Sequence, residues 1–281
     1  MTKQPPYLKK GDKIAIVCPA SRLPKSIDKA ISVLESWGLE VISGKTVTAE
    51  QHQFAGDDTI RLQDLQWALN DPSIKAIIAG RGGYGTIRII DQLDFSSFVQ
   101  QPKWIVGFSD ITVLLSHINT QFGIPSIHAQ MPYTFEEATP ASLESLRCAL
   151  FGISIDYGYT FNPPLPEAIW IGGNLTLLVM LEGSPSAPDY TDKILFIEDV
   201  GERPAAIDRM MRMLDRAGKL SKLKGLVIGA FNELPEEKIP FGETTEEIIK
   251  AIAGKYGYPI WTGFPVGHIE DNRAVVIGKV Q

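Results

Sequence analysis

Two periodicities alternate along the first half of the chain. Residues 14–18 form a short continuous apolar run, the pattern of a strand buried on both faces. Residues 25–37 then place apolar side chains at helical spacing and stop at Gly38. A second strand is predicted over 39–43, and a second helix over about 57–69, ending before Asp71 and Pro72. The apolar runs at 74–79 and 104–107 predict a third and a fourth strand, with a further helix between them. Strands separated by helices of roughly 10–15 residues imply a parallel sheet with right-handed crossovers.

The texture changes at residues 158–167. "GYTFNPPLPEA" carries three prolines and no periodicity, which marks a linker. Beyond it come an apolar strand over 194–197, a helix over 205–215, a strand over 225–231 and a helix over 244–256. The chain is therefore expected to be α/β. Its N-terminal domain (residues 1–157) should hold a Rossmann-like or flavodoxin-like parallel sheet. A Pro-rich linker (158–168) should lead to a smaller C-terminal mixed α/β domain (169–281) with its own core, the active site lying in the cleft between the two.

Composition narrows the function classes. With 281 residues, 44% hydrophobic and 21% charged, the chain can bury a substantial core and has the make-up of a soluble globular protein. A net charge of −6 without a basic run argues against a nucleic-acid surface. No stretch approaches the roughly 18 apolar residues of a membrane span. The two cysteines, Cys18 and Cys148, sit in no metal-type spacing and are expected to be buried free thiols, which suits a reduced, cytoplasmic setting.

Candidate chemistry begins at "AGRGGYGTIRII", after the third strand. Gly80, Gly82 and Gly85 satisfy the dinucleotide fingerprint in an expected strand–turn–helix context. That fingerprint normally occupies the first βα turn, yet the first turn here, "CPASRLP", lacks glycine. Consecutive glycines also let backbone N–H groups face a ligand, and such donors suit a phosphate or a developing oxyanion equally. Two readings of this loop stay open: nucleotide binding and anion stabilisation.

"KWIVGFSDITVLL" poses the same kind of choice. Ser109 falls where the fourth strand meets its helix, in the crevice where open α/β sheets hold ligands. It is either a nucleophile on a strand-to-helix elbow or, with Asp110, a helix cap. A nucleophile needs a base and an orienting group. Among the four histidines, His52 falls in a polar loop and His117 on a helix. His128 could line the crevice, and His268 lies in the Gly- and Pro-punctuated loop "GFPVGHIEDNR". "ILFIEDVGE" offers three acids at a strand end, Glu198, Asp199 and Glu202. Glu198 and Asp199 must point to opposite faces of the strand.

These segments, together with "LKKGDKIAIVCPAS", the run from Phe54 to Phe95, "WIGGNLTLL" and "ILFIEDVGERPAAIDRMM", cover nearly the whole chain. In them the sequence resembles the LD-carboxypeptidase family (muramoyltetrapeptide carboxypeptidases), whose sister branch holds the microcin-C self-immunity peptidases. The resemblance implies a serine peptidase with Ser109, Glu198 and His268 as its triad. It also implies the backbone N–H groups of Gly83 and Asp110 as oxyanion donors, no metal and no cofactor. Its substrate would be a murein tetrapeptide losing terminal D-alanine, and the enzyme would be a cytoplasmic homodimer. Gly82, Tyr84, Trp170 and Asn174 are expected to contact substrate, Trp170 being the candidate to stack on an adenine if the sister branch applied. Ala129 and Gln130 stand where the family often has a glycine–proline pair, a departure that bears on pocket shape.

Overall fold

Buried, β-rich runs set the frame. The computed structural model describes residues 4–235 and 239–281. In order, the first part of the chain gives β1 (Lys13–Val17), α1 (Asp28–Ser36), β2 (Glu40–Ser43), α2 (Asp58–Asn70), β3 (Ile74–Ala79) and α3 (Ser96–Gln100). It continues with β4 (Trp104–Gly107), α4 (Thr112–Phe122), β5 (Ser126–His128) and α5 (Pro140–Phe151). After the Pro-rich segment follow β6 (Trp170–Asn174), α6 (Leu175–Met180), β7 (Ile194–Val200), α7 (Pro204–Arg216) and β8 (Gly225–Asn232). The chain finishes with α8 (Thr245–Ala253), β9 (Ile260–Thr262) and β10 (Val275–Ile277).

The first sheet has the order β10-β5-β4-β3-β1-β2, and all pairs are parallel except β10 with β5. Its parallel part is the flavodoxin-like order, in which direction reverses between β1 and β3. The second sheet, β6-β7-β8-β9, is wholly parallel. Local signals explain the helices. Asp57 caps α2 by accepting from the Ile60 N–H, and Thr244 with Glu247 forms a capping box on α8. On α7 the buried residues Ile207, Met211 and Leu214 recur at one-turn and two-turn spacing.

The expected two-unit division is only partly realised in the packing. The second sheet has a core of its own, with Leu195, Ile197, Ile207, Leu226 and Ile249. A further cluster runs between the sheets, joining Ile105, Val113 and Ile118 to Trp170, Phe196, Val227 and Phe264. Strand β10, within the segment assigned to the second unit, pairs with β5 and so extends the first sheet. The Pro-rich segment is ordered against the second sheet: the Trp261 indole donates to the Pro163 carbonyl (2.8 Å), and Phe161 packs edge-on to Trp170 and Trp261.

The glycine loop departs from expectation. No α-helix follows Gly85; the chain makes two 3-10 turns, Thr86–Arg88 and Ile90–Gln92. The Gly85 carbonyl is shared between the Arg88 N–H and the Arg61 guanidinium, and the Thr86 N–H is taken by the Asp110 carboxylate. The helix N-terminus that a dinucleotide pyrophosphate requires is therefore not formed.

Candidate active site

The carboxyl ends of β1, β3 and β4 converge on one corner of the first sheet. After β4, Phe108 is extended and Ser109 turns with φ +61°, a left-handed conformation that a non-glycine residue adopts at a cost of about 1–3 kcal/mol. The sharp turn leaves the half-buried Ser109 hydroxyl without a hydrogen-bond partner among the described residues. Neither Ser109 nor Asp110 caps a helix through its side chain, which corrects the capping expectation. Asp110 instead reaches across to the glycine loop, its Oδ2 accepting from the Thr86 N–H at 2.9 Å. Burial raises the pKa of this carboxyl, while the hydrogen bonds from the loop and the nearby Arg61 oppose the rise.

The loop after β3 is held on three sides. The Ser21 N–H donates to the Gly82 carbonyl (3.2 Å), and the Ser21 hydroxyl accepts from the Tyr84 N–H (3.2 Å). Arg61, fully buried on α2, donates to the carbonyls of Pro19 (2.6 Å) and Gly85 (3.0 Å). Between these anchors the Gly83 and Asp110 N–H groups find no acceptor among the described residues. Gly83 has φ +98°, and a Cβ there would lie 2.3 Å from the Ser21 Oγ, so this position admits only glycine without rearrangement. Gly82 abuts Ser109, and a Cβ on it would come within 3.2 Å of the Ser109 Oγ. Tyr84 is exposed, its ring 6.0 Å from that of Phe54.

From the other sheet, β7 delivers a carboxylate. Glu198 is fully buried, and its Oε2 lies 2.7 Å from His268 Nδ1. Its two imidazole neighbours, His128 and His268, overcome the burial penalty and hold its pKa below the usual carboxylate range. For His268 burial works against the charged form, but the Glu198 hydrogen bond and charge outweigh it, so the imidazole pKa is raised. The His268 ring packs 4.9 Å from that of Phe108, the residue before Ser109. Its loop is tied down by the Asn232 amide on the His268 carbonyl (2.7 Å) and by the Gln130 amide on the carbonyls of Ile269 and Glu270 (3.1 and 3.0 Å). Gln130, one of the two departures noted above, thus fastens the histidine loop.

Of the other two acids, Asp199 points to the opposite face, accepting from Asn174 Nδ2 (2.8 Å), the Thr176 N–H (2.9 Å) and the Thr176 hydroxyl (2.8 Å). Glu202 lies beyond Gly201, between β7 and α7. Two expected substrate contacts are corrected. Trp170 is buried in the aromatic cluster of Phe161, Phe196 and Phe264, and buried Asn174 caps α6 through its Oδ1. His52 is exposed, and His117 is buried against Ser186. Sequence reasoning missed Arg61 and Ser21. Arg61 carries a detectable signal, being a charge on the face that Leu65 and Ala68 bury.

A cavity of about 390 Å³ opens beside His268, lined by Phe108, Gln130, Thr134, Glu137, Asn232 and Glu270. A larger one of about 740 Å³, at Asp12, Ile74 and Lys103, lies at the amino ends of the strands, opposite the edge where such sheets bind ligands. Among the described residues no group of His, Cys, Asp and Glu side chains is placed to hold a metal ion. None of their helices is long and apolar enough to cross a membrane. Cys18 and Cys148 are buried free thiols.

A buried carboxylate bonded to an imidazole that packs on Phe108, the residue before Ser109, and backbone N–H groups without acceptors are the kinds of groups that acyl transfer to water uses. Comparison with known proteins gives that class its family. The model of the LD-carboxypeptidase N-terminal domain matches residues 14–129 and that of the C-terminal domain residues 167–280, and the chain belongs to this family of carboxypeptidases. It is 34% identical to a probable murein peptide carboxypeptidase of Bacillus subtilis, over 98% of this chain and 89% of that one. It is 30% identical to a murein tetrapeptide carboxypeptidase of Pseudomonas aeruginosa, over 95% and 91% of the two chains. The crystal structure of muramoyltetrapeptide carboxypeptidase from Oxalobacter formigenes superposes with a TM-score of 0.82 at 31% identity, covering 94% of this chain and 93% of that one.

Proposed function

We propose that the protein is a serine carboxypeptidase that removes the terminal D-alanine from murein tetrapeptides. The observation that carries this reading is the 2.7 Å contact of His268 Nδ1 with the buried Glu198, beside the Ser109 turn. With Nδ1–H donated to Glu198, Nε2 is the basic nitrogen and takes the Ser109 proton. Oγ attacks the carbonyl of the L-centre of diaminopimelate or lysine, and the oxyanion is received by the N–H groups of Gly83 and Asp110. His268 returns the proton to the amine of the departing D-alanine. It then takes a proton from the water that attacks the acyl-enzyme and passes it to Ser109 Oγ as the ester bond breaks, which restores the free serine. Glu198 keeps the imidazole in this tautomer and stabilises its charged form.

The choice of substrate rests on the relatives' names and on a cleft cavity of peptide-fragment size. The alternative, cleavage of a nucleotide conjugate, loses its one aromatic candidate because Trp170 is buried. The test is to incubate the protein with tetrapeptides carrying diaminopimelate or lysine and to assay free D-alanine. Release by the native protein and none by Ser109→Ala is expected. No release from either tetrapeptide overturns the assignment.

A further inference from the structure

Glu198 has a second histidine neighbour that the relay above does not use. His128 is fully buried, and its Nε2 lies 3.8 Å from Glu198 Oε1, the oxygen that His268 leaves free. Among the described residues Oε1 has no hydrogen-bond partner, and neither ring nitrogen of His128 has one. Three polar atoms are thus sequestered from water beside one another. A buried carboxylate oxygen without a donor is the costliest of them to leave unpaired. Packing alone does not call for a histidine here. The ring sits between Phe108 and Phe196, at 5.7 and 5.1 Å between centroids, where a phenyl would pack as well.

Position adds a second argument. His128 ends β5, whose backbone is registered with Val275 of β10 on one side and Gly107 of β4 on the other. Gly107 lies two residues before Ser109. His128 is therefore a rigid fixture of the sheet that carries the serine, whereas Glu198 belongs to the other sheet. We propose that His128 is a positioning residue: as the Nε2–H tautomer it donates to Glu198 Oε1, fixing the carboxylate plane so that Oε2 stays on His268. A closing movement of about 1 Å brings the pair to ordinary hydrogen-bond length. One carboxylate is then clamped between two imidazoles, one at the end of β5 and one in the loop before β10. The proposal rests on the serine carboxypeptidase reading for its kinetic consequences but not for its tautomer.

Two measurements test it. In the native protein, imidazole 15N shifts should show a proton on His128 Nε2; a proton on Nδ1 alone overturns the proposal whether or not the enzyme cleaves murein peptides. With an active preparation, His128→Phe should lower kcat by about 10- to 100-fold, the factor expected for a lost hydrogen bond to a charged group, with KM within about twofold. The acid limb of its kcat/KM profile should move to higher pH, because Glu198 then protonates more readily and its undivided charge makes His268 more basic. His128→Gln, which keeps an N–H donor, should recover part of the loss. Native activity and an unchanged profile in His128→Phe, or equal loss without a profile shift in folded His128→Phe and His128→Gln, would show that the side chain only fills space.

Discussion

Glu198 and Asp199 are neighbours on one strand whose side chains face opposite ways, and this makes the proposed site testable at the scale of single residues. Ser109→Ala should lower kcat by on the order of 10⁴-fold or more, as removal of other triad nucleophiles does, and leave Tm nearly unchanged. Glu198→Gln should cost about 10³–10⁴ in kcat with KM roughly preserved, since the amide holds the imidazole without stabilising its charge. Asp199→Asn turns an acceptor of several hydrogen bonds partly into a donor facing the Thr176 N–H. It should lower stability by about 1–3 kcal/mol while the folded fraction keeps its turnover. If Asp199→Asn is instead the kinetically crippled variant, the triad assignment fails at its acid. The pH dependence has a definite sign. The His268 pKa is raised and the base must be neutral, so kcat/KM should fall as pH drops through a midpoint above the ordinary imidazole value of about 6.5. Residual activity of Glu198→Gln should show that midpoint displaced downward, because burial then acts on His268 without the opposing anion.

The loop after β3 shows what a sequence gives away at the scale of an element and what it withholds. Strands β1, β3 and β4 and helices α2 and α7 were legible to within a residue or so, the strands as continuous apolar runs and the helices from their spacing and end signals. The glycine run was legible as a loop after β3, but the 3-10 turns that follow it were not to be had from local pattern. Whether Thr86 opens an α-helix or a 3-10 turn is decided by Asp110 and Arg61, 24 and 25 residues away in sequence, and such partners leave no local mark. The same holds for Trp170 and Asn174, expected to contact substrate, which are buried in an aromatic cluster and at the start of α6. The proposed triad positions came through the family resemblance; spacing alone left three acids and two capping explanations open. Two experiments belong to this scale. Gly83→Ala must move either Ser21 or the loop and so displace the N–H proposed as an oxyanion donor, which predicts about 10²–10³-fold lower kcat, with a stability loss of about 1–3 kcal/mol from the positive φ and the clash. Calorimetric titration with NAD or NADP should be flat, since the loop's N–H groups at Tyr84 and Thr86 are already engaged by Ser21 and Asp110. Micromolar heat of binding would restore the dinucleotide reading.

Across the whole molecule, Ser109 follows β4 of the first sheet and Glu198 lies on β7 of the second, with His268 in the loop between β9 and β10, so their registry depends on how the sheets dock. The contact that sets it runs from β6 to the start of α4. The Asn174 N–H donates to the Thr112 hydroxyl (3.2 Å), three residues past Ser109, and Gly173 passes against the same side chain with φ +139°. A Cβ on Gly173 would lie 2.7 Å from Thr112 Oγ1 and 2.8 Å from its Cγ2. Strand β10 ties the far side, pairing with β5 while the Gly278 N–H donates to the Trp170 carbonyl (2.8 Å). With a hydrophobic cluster shared between the sheets as well, unfolding should be one cooperative transition despite the two sheets. Gly173→Ala adds both overpacking and backbone strain at this seam, worth about 2–4 kcal/mol together, and at this size roughly 2–4 °C of Tm is lost per kcal/mol. Scanning calorimetry should therefore show a single peak lowered by about 5–15 °C. Thr112→Ala in the same chain should return only part of the loss, because it relieves the clash and leaves φ strained. Activity of Gly173→Ala should fall at temperatures where it remains folded, since the displaced seam carries Ser109 away from His268. Two separate calorimetric peaks, or full activity with the seam disturbed, would mean that the sheets fold and hold their registry independently of this contact.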